Sequence, residues 1–246
     1  MLYESLDEVM IWFKSASLVF TNHQHGHTFT PLIREWTTYT CVISNQLELL
    51  FSLKESAHYK SLSDLSSLYE NKLLLLSQIM DKLNKVQRKW LYLEPVYSSG
   101  TMTLEQDLFD DVDTTFRSIM VRNKNSKLKT LVDDDINPGL DIALDKLVME
   151  LELCQQCLSK FLEEKRYSFP RLYFIGDESL LEMLGHSKNP EIVQTHMKHL
   201  FQGIHSVVFD QEMTNIVAFK SAHNEEVTLQ QVKILYSASF YYIFLL

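Results

Sequence analysis

Apolar residues recur at three- and four-residue steps through most of this chain, and the two longest runs set the expected architecture. Between Ser61 and Glu94, Leu62, Leu65, Tyr69, Leu76, Ile79, Leu83, Val86, Trp90 and Leu93 share one helical face, with Lys72 breaking the seam. Such a helix is roughly 50 Å long at about 1.5 Å per residue. Pro95, which has no backbone N–H, is expected to stop it. The second run, Leu140, Leu144, Leu147, Leu151, Cys154, Leu158 and Phe161, opens after Pro138-Gly139 and lasts to Phe169-Pro170. Two seams of one kind are expected to pack together.

Shorter helices complete the pattern. Leu2, Leu6, Val9 and Phe13 predict an amphipathic helix at the start. Thr30-Pro31 predicts a cap with proline in the first turn, followed by Ile33, Trp36, Ile43, Leu47 and Leu50 on one face. Between these, the polar run Thr21 to Thr28 reads as a loop. Leu104 to about Val121 predicts a helix with an acidic face of Glu105, Asp107, Asp110, Asp111 and Asp113, and polar Arg122 to Lys129 leads onward. Asn189-Pro190 caps a helix carrying Val193, Met197, Leu200 and Phe201, ending near Gly203.

The period then changes. His205 to Asp210, Thr214 to Ser221 and Glu226 to Leu229 are short, β-branched or aromatic, and separated by polar turns, so they predict a small antiparallel hairpin or flap. The expected fold class is mainly α: elongated antiparallel helical bundles with a small antiparallel β hairpin or flap near residues 205–229.

Glu163 to Gly185 is where a long helix stops, turns and restarts. Proline at 170 disfavours helical geometry at Phe169. Leu172, Tyr173, Phe174 and Ile175 then read as a short extended segment pressed into a core. Gly176 allows a turn, and Asp177 caps a helix bearing Leu180, Leu181, Met183 and Leu184. The stretch is a hinge or a fixed elbow.

Composition narrows the functional classes. The chain has 246 residues, 46% hydrophobic, with only six glycines and five prolines, which favours long helices over a turn-rich β fold. A formal charge of −9 argues against nucleic acid or anionic membrane as the main partner. No apolar run reaches the roughly 20 residues of a membrane helix. The three cysteines, Cys41, Cys154 and Cys157, make no even disulfide framework, and no signal peptide opens the chain, so reducing cytosol is expected.

Candidate chemistry is sparse. The six glycines stand far apart, so neither a phosphate-binding loop nor a dinucleotide fingerprint occurs, and the chain by itself is expected not to hydrolyse nucleotide. His23, His25 and His27, with His58 or Cys41, offer zinc ligands, but structural zinc sites want four well-spaced donors, and a solvated His-rich loop is the commoner outcome. Cys154-x-x-Cys157 stands without a second pair and Cys154 lies on a seam, so a buried thiol is expected. His196 and His199 make a weak metal pair, or a helix surface facing a partner. The runs Asp133 to Asp135 and Glu163-Glu164, like the acidic helix face, read as solvated surface. Trp36 and Trp90 read as core. No catalytic, cofactor-binding or metal residue is therefore assigned, and no cofactor.

Leu83-Asn84-Lys85-Val86-Gln87-Arg88-Lys89-Trp90-Leu91-Tyr92-Leu93-Glu94-Pro95, Phe116 to Met120, Cys154 to Leu158 with Phe161 to Arg166, Phe169 to Phe174, Leu180 to Gly185, and Asn189-Pro190 with His196 to Ile204 follow in order. Together they resemble the linker region of dynein heavy chains. Ile33 to Trp36, Phe116 to Met120 and Phe174 to Glu178 look most like the cytoplasmic dynein of intraflagellar transport. The resemblance covers residues 31–229. Residues 1–30 match poorly, and 230–246 form an apolar tail outside the family pattern, prone to aggregation if exposed.

What the resemblance implies is a mechanical lever of a minus-end-directed microtubule motor, with no ATPase ring in this chain. It implies the parent heavy chain's ring as partner, intermediate and light intermediate chains through the parent complex, and microtubules only through a stalk absent here. Cytoplasm, cytoskeleton and cilium are the expected locations. Two other readings stand beside it: a free-standing helical adaptor that binds proteins through the same amphipathic rods, and, more weakly, a metal-dependent enzyme using the histidine run.

Overall fold

A computed structural model describes residues 2–25, 28–54, 62–98, 100, 102, 105–185, 190–211 and 215–234. The chain is mainly α with two small antiparallel sheets: α1 (Leu2–Ser15), β1 (Phe20–His25), β2 (Thr28–Ile33), α2 (Trp36–Lys54), α3 (Ser63–Ser98), α4 (Gln106–Asn123), α5 (Leu140–Ser168), α6 (Asp177–Gly185), α7 (Pro190–Leu200), β3 (Ser206–Phe209), β4 (Asn215–Lys220) and β5 (Glu226–Ile234). Single 3-10 segments stand at Leu128–Val132 and Pro170–Phe174. The chain divides into two compact units, one of residues 1–94 and 107–154, the other of 95–106 and 155–246.

In the first unit, α1 buries Leu6, Val9 and Phe13 as its spacing requires. The stretch expected to be a loop and a capped helix start is instead a hairpin. β1 pairs with β2 from Phe20↔Ile33 through His23↔Thr30 to His25↔Thr28. After Phe20, β1 is polar throughout, so no apolar period of two marks it as a strand. Pro31 is tolerated because a two-stranded sheet consists only of edges. Helix α2 therefore starts at Trp36, after Glu35 in the left-handed region at φ 59°, whose carbonyl accepts from Thr38 at 3.0 Å and Tyr39 at 3.3 Å.

Helix α3 buries Tyr69, Leu76, Ile79, Leu83, Val86, Trp90 and Leu93, but Leu65 is exposed and Leu73 replaces Lys72 in the seam. Pro95 does not end it; the helix continues to Ser98. A proline in the last turn removes one hydrogen bond, and burial of Val96 and Tyr97 just beyond it offsets that loss. Helix α5 begins at Leu140, directly after Gly139, which takes φ +64° and whose carbonyl accepts from Ala143 N–H at 3.0 Å. Its seam is buried from Leu140 to Leu158, including Cys154 at 0% exposure, and then passes to Leu162 because Phe161 is half-buried.

Ion pairs fix how the two long helices run within this unit. Lys82 meets Asp141 and Asp145 at 2.7 and 2.8 Å, and Lys85 meets Glu152 at 3.1 Å. The pairs climb both helices together, so α3 and α5 lie side by side in the same direction.

The segment after α4 is more than a polar link. Leu128 and Leu131 are buried, and Leu128 N–H donates to the Ala16 carbonyl at 2.9 Å. Asn137 Nδ2 donates to Asn123 Oδ1 at 3.1 Å and to the Thr130 carbonyl at 2.8 Å, with both asparagines buried.

In the second unit, the flap is a three-stranded sheet in the order β3-β4-β5, all antiparallel, and β5 runs five residues past Leu229 to Ile234. Val207, Ile216 and Ala218 form its buried side. Helix α7 starts at Pro190, buries Met197 and Leu200, and joins the flap through Gln194, whose amide accepts from Val207 N–H at 2.9 Å and donates to its carbonyl at 3.3 Å. Gly26, His27, His58, Asn189 and the tail from Leu235 lie outside the described residues, as do Ser61 and Leu104.

Candidate functional site: two arginine-centred joints

Each unit holds one joint in which an arginine sits over an aromatic ring between carboxylates. In the first, Trp90 is fully buried on α3. Its ring packs against Phe116 of α4 at 4.8 Å between centroids, and its indole N–H donates to Asp113 Oδ1 at 2.9 Å. Arg117, one helical turn after Asp113, donates through Nε to both Asp113 oxygens at 2.8 Å and places its guanidinium 5.1 Å from the Trp90 ring centre. Glu94, 1% exposed, lies 3.7 Å from Arg117 on one side and 3.7 Å from His23 Nε2 on the other. His23 also stands edge-on to Trp90 at 5.7 Å. Arg117 Nη1 donates to Thr30 Oγ1 on β2.

A second anchor lies one turn earlier on α3. Gln87, 5% exposed, accepts from Ile33 N–H at 2.9 Å and donates to the Ile33 carbonyl at 3.0 Å. A side-chain amide thus substitutes for a strand at the outer edge of β2, satisfying backbone groups that are costly to leave unpaired in a core. Gln87, Trp90 and Glu94 tie the hairpin to α3, while Asp113 and Arg117 bring in α4.

Part of the acidic face of α4 is therefore not solvated surface, since Asp113 belongs to this joint. Gln87, Glu94, Arg117 and Thr30 were absent from the sequence-based candidates. Their signal is the spacing: Gln87 and Glu94 lie three residues before and four after Trp90, on the face carrying the apolar seam.

The second joint is the elbow. Phe169 is extended, and Pro170–Phe174 forms a 3-10 turn, not a strand. Leu172 and Ile175 are buried as expected, but Tyr173 is 57% and Phe174 73% exposed. Three residues per turn sends Leu172 and Ile175 to the same side and turns the intervening rings outward. Arg166 on α5 braces the turn: it donates to the Ile175 carbonyl at 3.2 Å and pairs with Asp177 at 2.6 Å, with its guanidinium 5.9 Å from the Tyr173 ring. The Tyr173 hydroxyl donates to Glu163 at 3.1 Å, which raises its pKa above the ordinary phenol value. Arg171 donates to the Leu200 carbonyl at 3.2 Å and lies over Phe201 at 4.8 Å. These bonds make the stretch a locked corner inside its own unit. Helix α6 follows from Asp177 and buries Leu180 and Met183.

The other chemical candidates fall apart or fall silent. His23 faces Glu94, and among the described residues no group of three His, Cys, Asp or Glu side chains gathers around one point. Cys154 is buried and Cys157 half-buried on α5, both as free thiols, while Cys41 is exposed. His196 is buried, with Nε2 3.1 Å from Glu182 on α6, whereas His199 is exposed. Trp36 is half-exposed, unlike Trp90. No described helix is long and apolar enough to cross a membrane.

The family model for the dynein heavy chain, N-terminal region 2, matches residues 1–239. The chain belongs to the dynein heavy chain family. That match includes the α1 segment and all of β5. Among dynein heavy chains, it is 42% identical over 235 residues to cytoplasmic dynein 2 heavy chain 1 of Mus musculus, covering 94% of this chain and 5% of that protein. It is 39% identical over 230 residues to the protein of the same name in Chlamydomonas reinhardtii, covering 92% and 5%. A cytoplasmic dynein heavy chain of Fusarium vanettenii is 32% identical over 236 residues, again 94% and 5%. The chain thus spans about one-twentieth of the length of these dynein relatives.

Proposed function

We propose that this chain is part of the linker, the mechanical lever, of a microtubule minus-end-directed dynein that serves retrograde intraflagellar transport. The observation that carries the reading is the identity to cytoplasmic dynein 2 heavy chains, 39–42% over more than nine-tenths of the chain. Two long helices of like direction, with their polar joints, suit an element that transmits force instead of performing chemistry. On this reading the lever works against the ATPase ring of its parent heavy chain and has no nucleotide chemistry of its own. Intermediate and light intermediate chains associate through the parent complex, microtubules are met only through the parent's stalk, and the setting is cytoplasm, cytoskeleton and cilium.

The test is a chimera in which residues 1–239 replace the matching segment of the Chlamydomonas reinhardtii cytoplasmic dynein 2 heavy chain. Purified motor should glide microtubules and restore retrograde transport. Replacing Arg166 and Gln87 in the chimera should slow gliding while nucleotide hydrolysis continues. A chimera that assembles and hydrolyses nucleotide, yet glides at unchanged speed when both joints are broken, overturns the lever role.

A further inference from the structure

We propose that the outer face of the elbow is a docking groove for an arginine-bearing segment of a partner polypeptide. The groove, about 510 Å³, is lined by Glu163, Glu164, Lys165, Tyr167, Ser168 and Tyr173. Tyr167 is 86% exposed and Tyr173 57%, with Phe174 at 73% beside them. Three large rings in solvent within eight residues are what a protein contact surface presents, whereas scattered exposed apolar residues need no explanation.

One of these rings, that of Tyr173, is held in place before any partner arrives. Tyr173 is fixed by its bond to Glu163 and by Arg166 against its ring, and the backbone beneath is braced by Arg166 at Ile175 and Asp177. Little ordering cost therefore remains to be met at that ring on binding.

Charge selects the occupant. The one cation of the lining, Lys165, is drawn over the ring of Phe161 at 4.9 Å. Glu163 and Glu164 both line the groove, Glu163 accepting from the Tyr173 hydroxyl at 3.1 Å, so two carboxylates border its rings. Carboxylates beside electron-rich ring faces suit a guanidinium, which stacks on an aromatic and donates in plane to an acid. The same carboxylates repel phosphate backbones and anionic lipid. A second copy of this chain would bring a formal charge of −9 to an acidic rim. The groove needs no membership in a motor, so this inference stands or falls separately from the lever role.

The test uses the 246-residue chain and a fluorescein-labelled peptide of Gly-Ser-Arg repeats, read by anisotropy at physiological salt. The same peptide with citrulline for arginine serves as the neutral control. The arginine peptide should bind and the citrulline peptide should not. Glu163→Gln with Glu164→Gln should weaken binding about tenfold or more. Asp111→Asn with Asp134→Asn, an equal charge change at exposed sites in the other unit, should leave it within about twofold. Tyr167→Ala should weaken it several-fold; its side chain lies almost wholly in solvent, so the variant keeps the fold and the result stays readable. Equal binding of the citrulline peptide, an equal loss in the Asp111/Asp134 pair, or no binding at all overturns the proposal. So does a concentration-dependent dimer in sedimentation that Tyr167→Ala abolishes, which would make a second copy the occupant.

Discussion

The two joints use nearly the same parts and put them to opposite ends. Arg117 with Trp90, Asp113 and Glu94 forms a sealed knot in which the ring has no exposure, whereas Arg166 with Tyr173, Glu163 and Asp177 leaves more than half of its tyrosine in water. The first joins elements far apart in sequence, a hairpin and two helices. The second joins residues of one continuous stretch, Glu163 to Asp177. Burial turns an arginine, an aromatic and two acids into a fastener; exposure turns them into a rigid platform.

This contrast can be broken from the stronger side first. Trp90→Ala removes a fully buried ring and one of the donors to Asp113, and should cost about 3 to 5 kcal/mol in urea denaturation. A shift near zero would mean that the ring does not hold the knot. Gln87→Ala exposes the Ile33 N–H and carbonyl to a core with no partner and should cost about 2 to 4 kcal/mol. Gln87→Glu, which keeps the acceptor but not the donor, should fall between that and wild type.

At the elbow the expected effects shrink. Arg166→Ala should lower global stability by about 1 to 2 kcal/mol, because its bonds are local and partly exposed. Its clearer signature is faster hydrogen exchange confined to residues 170–180. Exchange that spreads through α7 and the flap would show that the corner holds more than itself.

The smallest effect is electrostatic and separates the two sides of neutrality. Lys85, and behind it Lys89, hold Glu152 below the ordinary carboxylate range. Its contribution is present above the unfolded value of about 4.3 and is lost as pH falls through the lowered folded value. Asp141 and then Asp145 raise Lys82, so that contribution is full below about 10.4 and fades as pH rises through the raised value. Glu152→Gln should flatten only the acid limb of a stability-against-pH curve, and Lys82→Met only the alkaline one. A change in both limbs from either variant would place the groups in one coupled network.

How much could be read beforehand follows from the same contrast. Helices α1, α3 and α5 were legible because their patterns repeat turn after turn, and the flap because its short β-branched or aromatic runs are set apart by polar turns. The elbow was legible as a turn, since Pro170, Gly176 and Asp177 act locally. Its aromatic side was misjudged: extended geometry would bury Tyr173 and Phe174, while a 3-10 turn buries Leu172 and Ile175, and apolar content alone does not choose between them. The hairpin was missed because its edge is completed by Gln87, more than fifty residues away. Glu94 and Asp113 carried no apolar signal, and only their helical phase to Trp90 and Arg117 marks them as interior.

Cys154, sealed in the α5 seam, gives the molecule a clock of its own. A thiol with no solvent exposure reacts with an alkylating reagent only when the surrounding packing opens, while Cys41 is open to reagent throughout. The ratio of their labelling rates therefore measures how often the seam breathes, without any added probe. Measured under an applied load, it would tell whether the interior of this unit loosens or stays intact.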